Sequence, residues 1–280
     1  MPNNGCLFTF YTLTPLHAGA GDSAGAIDLP IQRERHTEYP VVHSSGIKGA
    51  LRWFFKCNDE LKGHINDIFG KEEDEEGSGK VIFTDAKILF FPVRSSEGVF
   101  KWVTSPFVIE RLKQDLKFIG ISKDEIAVTT EGYSAKAFES YANRLILEDF
   151  PVTIRNDLKV LEFFNALTSP HFNEETLKKR LIIVSDNLFK TLVTGATQII
   201  ARNVLNDNKT SKNLWYEEVV PADALFYTIM KPAFKGNEAI GHLETGISKK
   251  ILQLGGNETI GYGLVRMSDN INFDGGGEGQ

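Results

Sequence analysis

Cysteine is scarce in this chain: of 280 residues only Cys6 and Cys57 are cysteines, and they form no C-x-x-C pair. That excludes a disulfide framework and a cysteine-rich zinc site, leaving two free thiols. The six histidines fall in no H-E-x-x-H pattern, and the H-x-E triplets at His36 and His242 have no P-C-x-x-C partner, so a preassembled zinc centre is not expected. Long apolar runs are missing, and no stretch approaches the roughly 20 residues that span a bilayer, so no membrane partner is expected. The first residues, MPNNGCLFTF, lack a basic segment leading into an apolar one, which sets the expectation of a cytoplasmic protein. Length serves where staples are absent, since 280 residues with 41% hydrophobic side chains bury a core unaided.

Positive charge is also in deficit. Lysine and arginine number 31 against 37 acids, a net charge of −6, which argues against a surface that coats nucleic-acid phosphates. Five of those acids form one run, Glu72 to Glu76, before Gly77-Ser78-Gly79; this reads as a solvated loop, and −6 with five acids removed leaves −1. Acids are absent between Glu38 and Asp59, where Lys48, Arg52 and Lys56 recur every fourth residue and share one helix face. Such a stripe is either a solvated face or a phosphate-binding one.

The order of elements predicts an α+β fold. Residues 6–13 read as a strand ended by Pro15, and 16–40 as a long Gly-, Asp- and Pro-containing loop of functional type. Ser44 and Ser45 offer an N-cap to a helix whose apolar face is Ile47, Ala50, Leu51, Phe54 and Phe55. A second strand region follows at 80–93, helices at 106–118 and 157–167, and a strand at 180–186. Residues 197–220 read as a protruding β-hairpin with Ile199, Ile200, Arg202 and Trp215 on its arms, followed by a strand at 222–230. HLETGISKKILQL (242–254) reads as a helix, GGNETIGYG as a glycine-rich loop and LVRM as a closing strand. Strand, helix, strands, helix, strand is the ferredoxin-like order. It implies one domain over 1–268, with a helical insertion about 92–190, a hairpin about 194–222 and a flexible tail at 269–280.

Two motifs fail on inspection. Gly19 to Gly25 has its third glycine one residue late for a dinucleotide fingerprint, and Gly77-Ser78-Gly79-Lys80 has Val81 where a P-loop needs Ser or Thr. Three segments remain: LTPLHAGAGDSAGAIDLPIQRERHTEYP, VVHSSGIKGALR and GGNETIGYG. The glycine-rich loops let backbone N–H groups approach a sugar-phosphate chain, and the helix start favours phosphate.

These segments, with WVTSP (102–106), NLWYEEVVPADALFY (213–227) and GGNETIGYGLVR (255–266), resemble the RAMP superfamily of CRISPR proteins. Within it the similarity is to the family of fourth subunits of the Cmr (type III-B) effector complex, over most of the chain. The resemblance implies a ferredoxin-like, RRM-like subunit that stacks head to tail along a CRISPR guide RNA with other Cmr subunits. It also implies cleavage of the paired target RNA at regular intervals, by 2′-hydroxyl attack giving a 2′,3′-cyclic phosphate. Asp28 matches the family's catalytic aspartate and would hold Mg²⁺ or Mn²⁺ weakly, with water and phosphate oxygens completing the shell. His17 is either an acid–base partner or a contact to RNA backbone. Glu217 lies either near the scissile phosphate or in a structural hydrogen bond. Guide contacts are expected from Ser44, Ser45, Gly46, Lys48 and Arg52, and backbone contacts from Gly255, Gly256, Gly261 and Gly263. Of Arg33 and Arg35, one is expected on the target strand and the other either there or paired with Glu34. The hairpin resembles the family's thumb, which interrupts the guide–target duplex. Two alternatives stand beside this reading: a non-catalytic guide-binding scaffold, and a guide-processing endoribonuclease.

Overall fold

The computed structural model describes residues 5–71, 77–139, 144–156, 161–234, 236–271 and 273. The acidic run 72–76 lies outside them. The chain begins with β1 (Cys6–Thr12), then β2 (Val41–Val42), α1 (Ser44–Lys56), α2 (Ile65–Phe69), β3 (Val81–Phe83) and β4 (Ala86–Arg94). An insertion follows: β5 (Phe100–Thr104), α3 (Pro106–Phe118), β6 (Ser134–Ala137), β7 (Arg144–Leu147), β8 (Phe150–Asn156), α4 (Leu161–Thr168), α5 (Glu174–Arg180), β9 (Leu181–Ile183) and α6 (Asp186–Gly195). The hairpin β10 (Gln198–Leu205) and β11 (Ser211–Val219) comes next, and β12 (Leu225–Pro232), α7 (Ala239–Ile247), β13 (Ile251–Gln253) and β14 (Leu264–Met267) complete the fold.

One sheet runs through the molecule in the order β13-β14-β1-β12-β4-β5-β9-β6-β8-β7. Its part β14-β1-β12-β4 is antiparallel throughout, which with α1 and α7 is the ferredoxin-like core. Alternation on β1 decides the layers, because successive side chains point to opposite faces. Cys6 reaches Glu244 of α7 on one face, while Thr9 donates to the Leu167 carbonyl of α4 at 3.2 Å on the other. Helix α1 buries Ile47, Leu51 and Phe55, the face expected from its periodicity. Gly246 allows α7 to close on it: a Cβ there would lie 2.6 Å from Phe55 Cζ. Among the described residues, no helix is long and apolar enough to cross a membrane.

Four expectations change. The cap of α1 is neither Ser44 nor Ser45: His43 holds that position, and Asp85 Oδ1 accepts from the Ser44 N–H at 2.7 Å. The segment 242–254 is a helix only to Ile247; Lys249 at φ 55° turns the chain into β13. The insertion contains its helices but also β5 to β9, which extend the sheet. Finally, the chain does not leave the fold at 268, because Asn270 Oδ1 accepts from Leu7 N at 3.2 Å, Ile271 is buried and Phe273 stacks on Phe163.

Candidate nucleic-acid interface and cleavage site

The loop after β1 has no strand-forming composition, yet its backbone is paired. Leu16 and Val220 exchange both bonds at 2.9 Å; Gln32 N donates to Ala18 O at 2.7 Å, Ala20 N to Pro30 O at 2.9 Å and Ser23 N to Asp28 O at 2.9 Å. Residues 19–31 thus make a bent excursion with paired limbs, and Asp28 is exposed near its end. The returning limb lies on β11, where Leu29 N donates to Tyr216 O at 3.1 Å and Glu218 N to Leu29 O at 3.0 Å. The Asp28 carboxylate accepts through Oδ2 from Tyr216 N at 2.8 Å.

His17 and Glu217 gather at the same stretch of β11. His17 Nδ1 lies 2.7 Å from Glu218 O; a carbonyl only accepts, so Nδ1 carries a proton and Nε2 is the atom left to accept or release one. Glu217 is buried, and its carboxylate accepts from Trp215 Nε1 at 2.9 Å, Arg202 Nε at 3.1 Å and Asn257 Nδ2 at 2.9 Å. Burial opposes its charge, but the Trp215 and Arg202 donors and the charges of Arg202 and His17 outweigh it and hold the carboxyl below the usual range. Glu217 therefore sits in a structural hydrogen-bond network.

The glycine-rich loop closes over His17. Gly256 N donates to His17 O at 2.9 Å, and a Cβ on Gly255, at φ 75°, would meet that oxygen at 2.3 Å. Gly263, at φ 73°, would place a Cβ 1.9 Å from Leu254 O. The fold itself thus requires glycine at both positions; Gly263 is buried and Gly255 is exposed. Gly256 and Gly261 are exposed.

Gln32 ties the loop to α1: its Nε2 donates to Gly19 O at 3.0 Å, and its Oε1 accepts from His43 N at 2.8 Å. Beyond that junction Ser45 and Gly46 are exposed on the first turn of α1, with Ser44, Lys48 and Arg52 half-buried along the helix. Arg33 is engaged within the chain, and not with Glu34. Its Nη2 lies 2.5 Å from Glu218 Oε1 and its Nη1 donates to Glu38 O at 2.7 Å, while Glu34 pairs with Arg111 at 2.7 Å. Arg35 is exposed.

On the hairpin, Ile199 faces Glu218, Ile200 faces Glu217 and Arg202 faces Trp215. Ile199, Leu205 and Leu214 are each more than half exposed, so the arms carry exposed apolar side chains on either side of a polar turn. Arg202 instead turns inward, with its guanidinium 5.0 Å from the Tyr262 ring centroid.

Three further residues shape the region. Trp53 is 60% exposed on α1, next to Arg52, and an exposed tryptophan beside a basic stripe was legible as a base-stacking candidate. Glu218 was signalled only by two consecutive acids between the apolar residues 214–216 and 219–220, where one must point to each face. Gln32 carried no signal.

A paired active-site loop, a glycine-rich closing loop and a hairpin set on a ferredoxin-like sheet define the RAMP class. The family model described as the RAMP superfamily matches residues 9–266, and the chain belongs to that superfamily. Within it the chain stands among the Cmr4 subunits. It is 41% identical over 278 residues to the CRISPR system Cmr endoribonuclease Cmr4 of Pyrococcus furiosus, covering 94% of each chain. It is 24% identical over 306 residues to the CRISPR system CMR subunit Cmr4 of Saccharolobus solfataricus, covering 93% of this chain and 98% of that one. The crystal structure of oligomeric Cmr4 from Pyrococcus furiosus matches with a TM-score of 0.79 at 36% identity, over 96% of this chain and 99% of that one. A type III-B Cmr-beta structure in the apo state, at 24% identity and a TM-score of 0.78, over 94% of this chain and 96% of that one, has the same fold.

Proposed function

We propose that this chain is a backbone subunit of a cytoplasmic type III-B CRISPR effector complex that binds guide RNA along α1 and cleaves the complementary target RNA at regular intervals. The observation that carries the reading is Asp28, exposed at the end of a paired loop with Oδ2 fixed by Tyr216 N at 2.8 Å on the hairpin's return arm. Neither helix nor strand packing calls for a carboxylate there.

The reaction is attack by a target 2′-hydroxyl on the adjacent phosphorus. The O2′ proton leaves, the bond to the 5′-oxygen breaks and that oxygen takes up a proton, giving a 2′,3′-cyclic phosphate and a 5′-hydroxyl. Asp28 suits a role in positioning the attacking hydroxyl, and Nε2 of His17 suits proton transfer or a contact to RNA backbone. Among the described residues no three His, Cys, Asp or Glu side chains form a metal site. One carboxylate fits a single-point contact to Mg²⁺ or Mn²⁺, with water and phosphate oxygens as the other ligands. When bound, such an ion supplies stabilisation of phosphate charge. Lys48 and Arg52, with Ser44, Ser45 and Gly46, would take guide phosphates, and Trp53 a base. The exposed apolar side chains of the hairpin suit a wedge between base steps, and head-to-tail stacking of copies with other Cmr subunits sets the interval between cuts.

The test is the assembled complex with guide, complementary RNA and Mg²⁺. Evenly spaced cuts with cyclic-phosphate and 5′-hydroxyl ends, absent with unpaired RNA or chelator, are expected. Cuts with 5′-phosphate ends, or cutting of precursor guide RNA by the isolated chain, would overturn the reading.

A further inference from the structure

Glu218 is 4% exposed, and the chemistry above gives it no part. Its Oε1 lies 2.5 Å from Arg33 Nη2 and accepts from Thr197 Oγ1 at 2.7 Å, and its Oε2 accepts from Ile31 N at 3.1 Å. Its backbone also takes part: Glu218 N donates to Leu29 O at 3.0 Å, and Glu218 O accepts from His17 Nδ1 at 2.7 Å. One residue thus grips the active-site loop at His17, Leu29, Ile31 and Arg33, and the root of the hairpin at Thr197, next to the start of β10.

A buried carboxylate is costly unless an opposite charge and hydrogen bonds satisfy it, and an apolar pair would hold two segments together with no such cost. What the ion pair adds is direction. Arg33 Nη1 donates onward to Val193 O of α6 at 3.1 Å, and to Glu38 O within the loop at 2.7 Å, so the loop cannot slide along β11 without breaking a buried pair and the contact to α6. Asp28 sits one residue before Leu29, and its own bond to Tyr216 N lies two residues from Glu218 on the same strand.

We propose that Glu218 is a positioning residue that couples the hairpin to the active-site loop, so that a hairpin seated on the guide–target duplex fixes Asp28 for cleavage. The proposal rests on the nuclease reading above.

The experiment compares native, Glu218→Gln, Thr197→Val and Asp28→Ala chains in the reconstituted complex, under single-turnover conditions with saturating target. Glu218→Gln keeps size and one acceptor oxygen but loses the charge opposite Arg33; Thr197→Val cuts only the link to the hairpin root. Target affinity should stay within about twofold while the cleavage rate falls about 10-fold or more for Glu218→Gln and about threefold for Thr197→Val. The Mg²⁺ concentration giving half the maximal rate should rise in both, which lower stability by itself does not produce. Native rates and native Mg²⁺ dependence in the variants that assemble would overturn the proposal. If Glu218→Gln does not assemble, Thr197→Val decides alone on the same criterion. Asp28→Ala separates the two claims: if it cleaves normally, the nuclease reading has failed, and if it alone is inactive, only the coupling has.

Discussion

Lys48 and Gly263 separate a proposed RNA contact from a residue that shapes the fold. Lys48 lies on α1 in the acid-free stretch of the chain, and its proposed contribution to guide binding is a phosphate contact. Lys48→Ala should weaken binding of unrelated RNA sequences equally and reduce the slope of log affinity against log salt by about 1, measured by titration at several salt concentrations. A changed sequence preference with an unchanged slope would contradict that role. Gly263 has the opposite signature. At φ 73° with Leu254 O where a Cβ would stand, Gly263→Ala should cost at least about 2 kcal/mol and lower Tm by roughly 5 °C or more, leaving guide affinity of the folded fraction intact. Of the two, Lys48 was legible as a candidate phosphate contact, whereas the structural role of Gly263 was not. A glycine-rich loop reads the same from sequence whether RNA or its own chain approaches it, and only the contact with Leu254 decides.

Between elements, the packing of α4 and the turn after it against β1 carries a titratable weak point. His171 follows α4 and stacks on Tyr11, with Nε2 2.9 Å from Thr9 Oγ1 and Nδ1 buried without a partner. Burial, with the nearby Arg266 charge adding to it, pushes its pKa from 6.5 down to about 4. Above pH 6.5 the ring is neutral in both folded and unfolded chains, so no difference arises. Between pH 6.5 and about 4 the unfolded chain takes up a proton that the folded one refuses, so stability falls as pH falls, by up to about 3 kcal/mol. Urea unfolding across that window should lose stability less steeply in His171→Gln than in the native chain; parallel pH profiles would contradict the account. The hairpin belongs to the same scale. Its two arms were legible because apolar and polar residues alternate around a polar turn, though β11 starts at Ser211, ahead of the expected arm. Its attachment through Glu218 was not, because Arg33 lies 185 residues away in sequence and pairing over that distance leaves no local trace.

At the scale of the whole molecule, periodicity revealed what is periodic. β1, α1 and β12 each carry a full apolar face, and with the helix α7 and the closing strand they suffice to name a ferredoxin-like core. The strands β6 to β8 escaped notice because they are short and partly exposed, as in SAKA and RLIL, and are held by partners in the insertion rather than by their own pattern. Net charge misleads at this scale: −6 is an average over an acidic run and a basic helix. On the proposed reading, RNA binding by such a surface rests on a few placed cations and on stacked copies. The claim that unites these scales is that the fold delivers one carboxylate, Asp28, to a target strand already bound by other residues. The most direct measurement is single-turnover cleavage of complementary RNA in Mg²⁺ by complexes assembled with native or Asp28→Ala chains, with target affinity measured in parallel. The account requires native affinity and complete loss of every regularly spaced cut; undiminished cutting by Asp28→Ala complexes would contradict it.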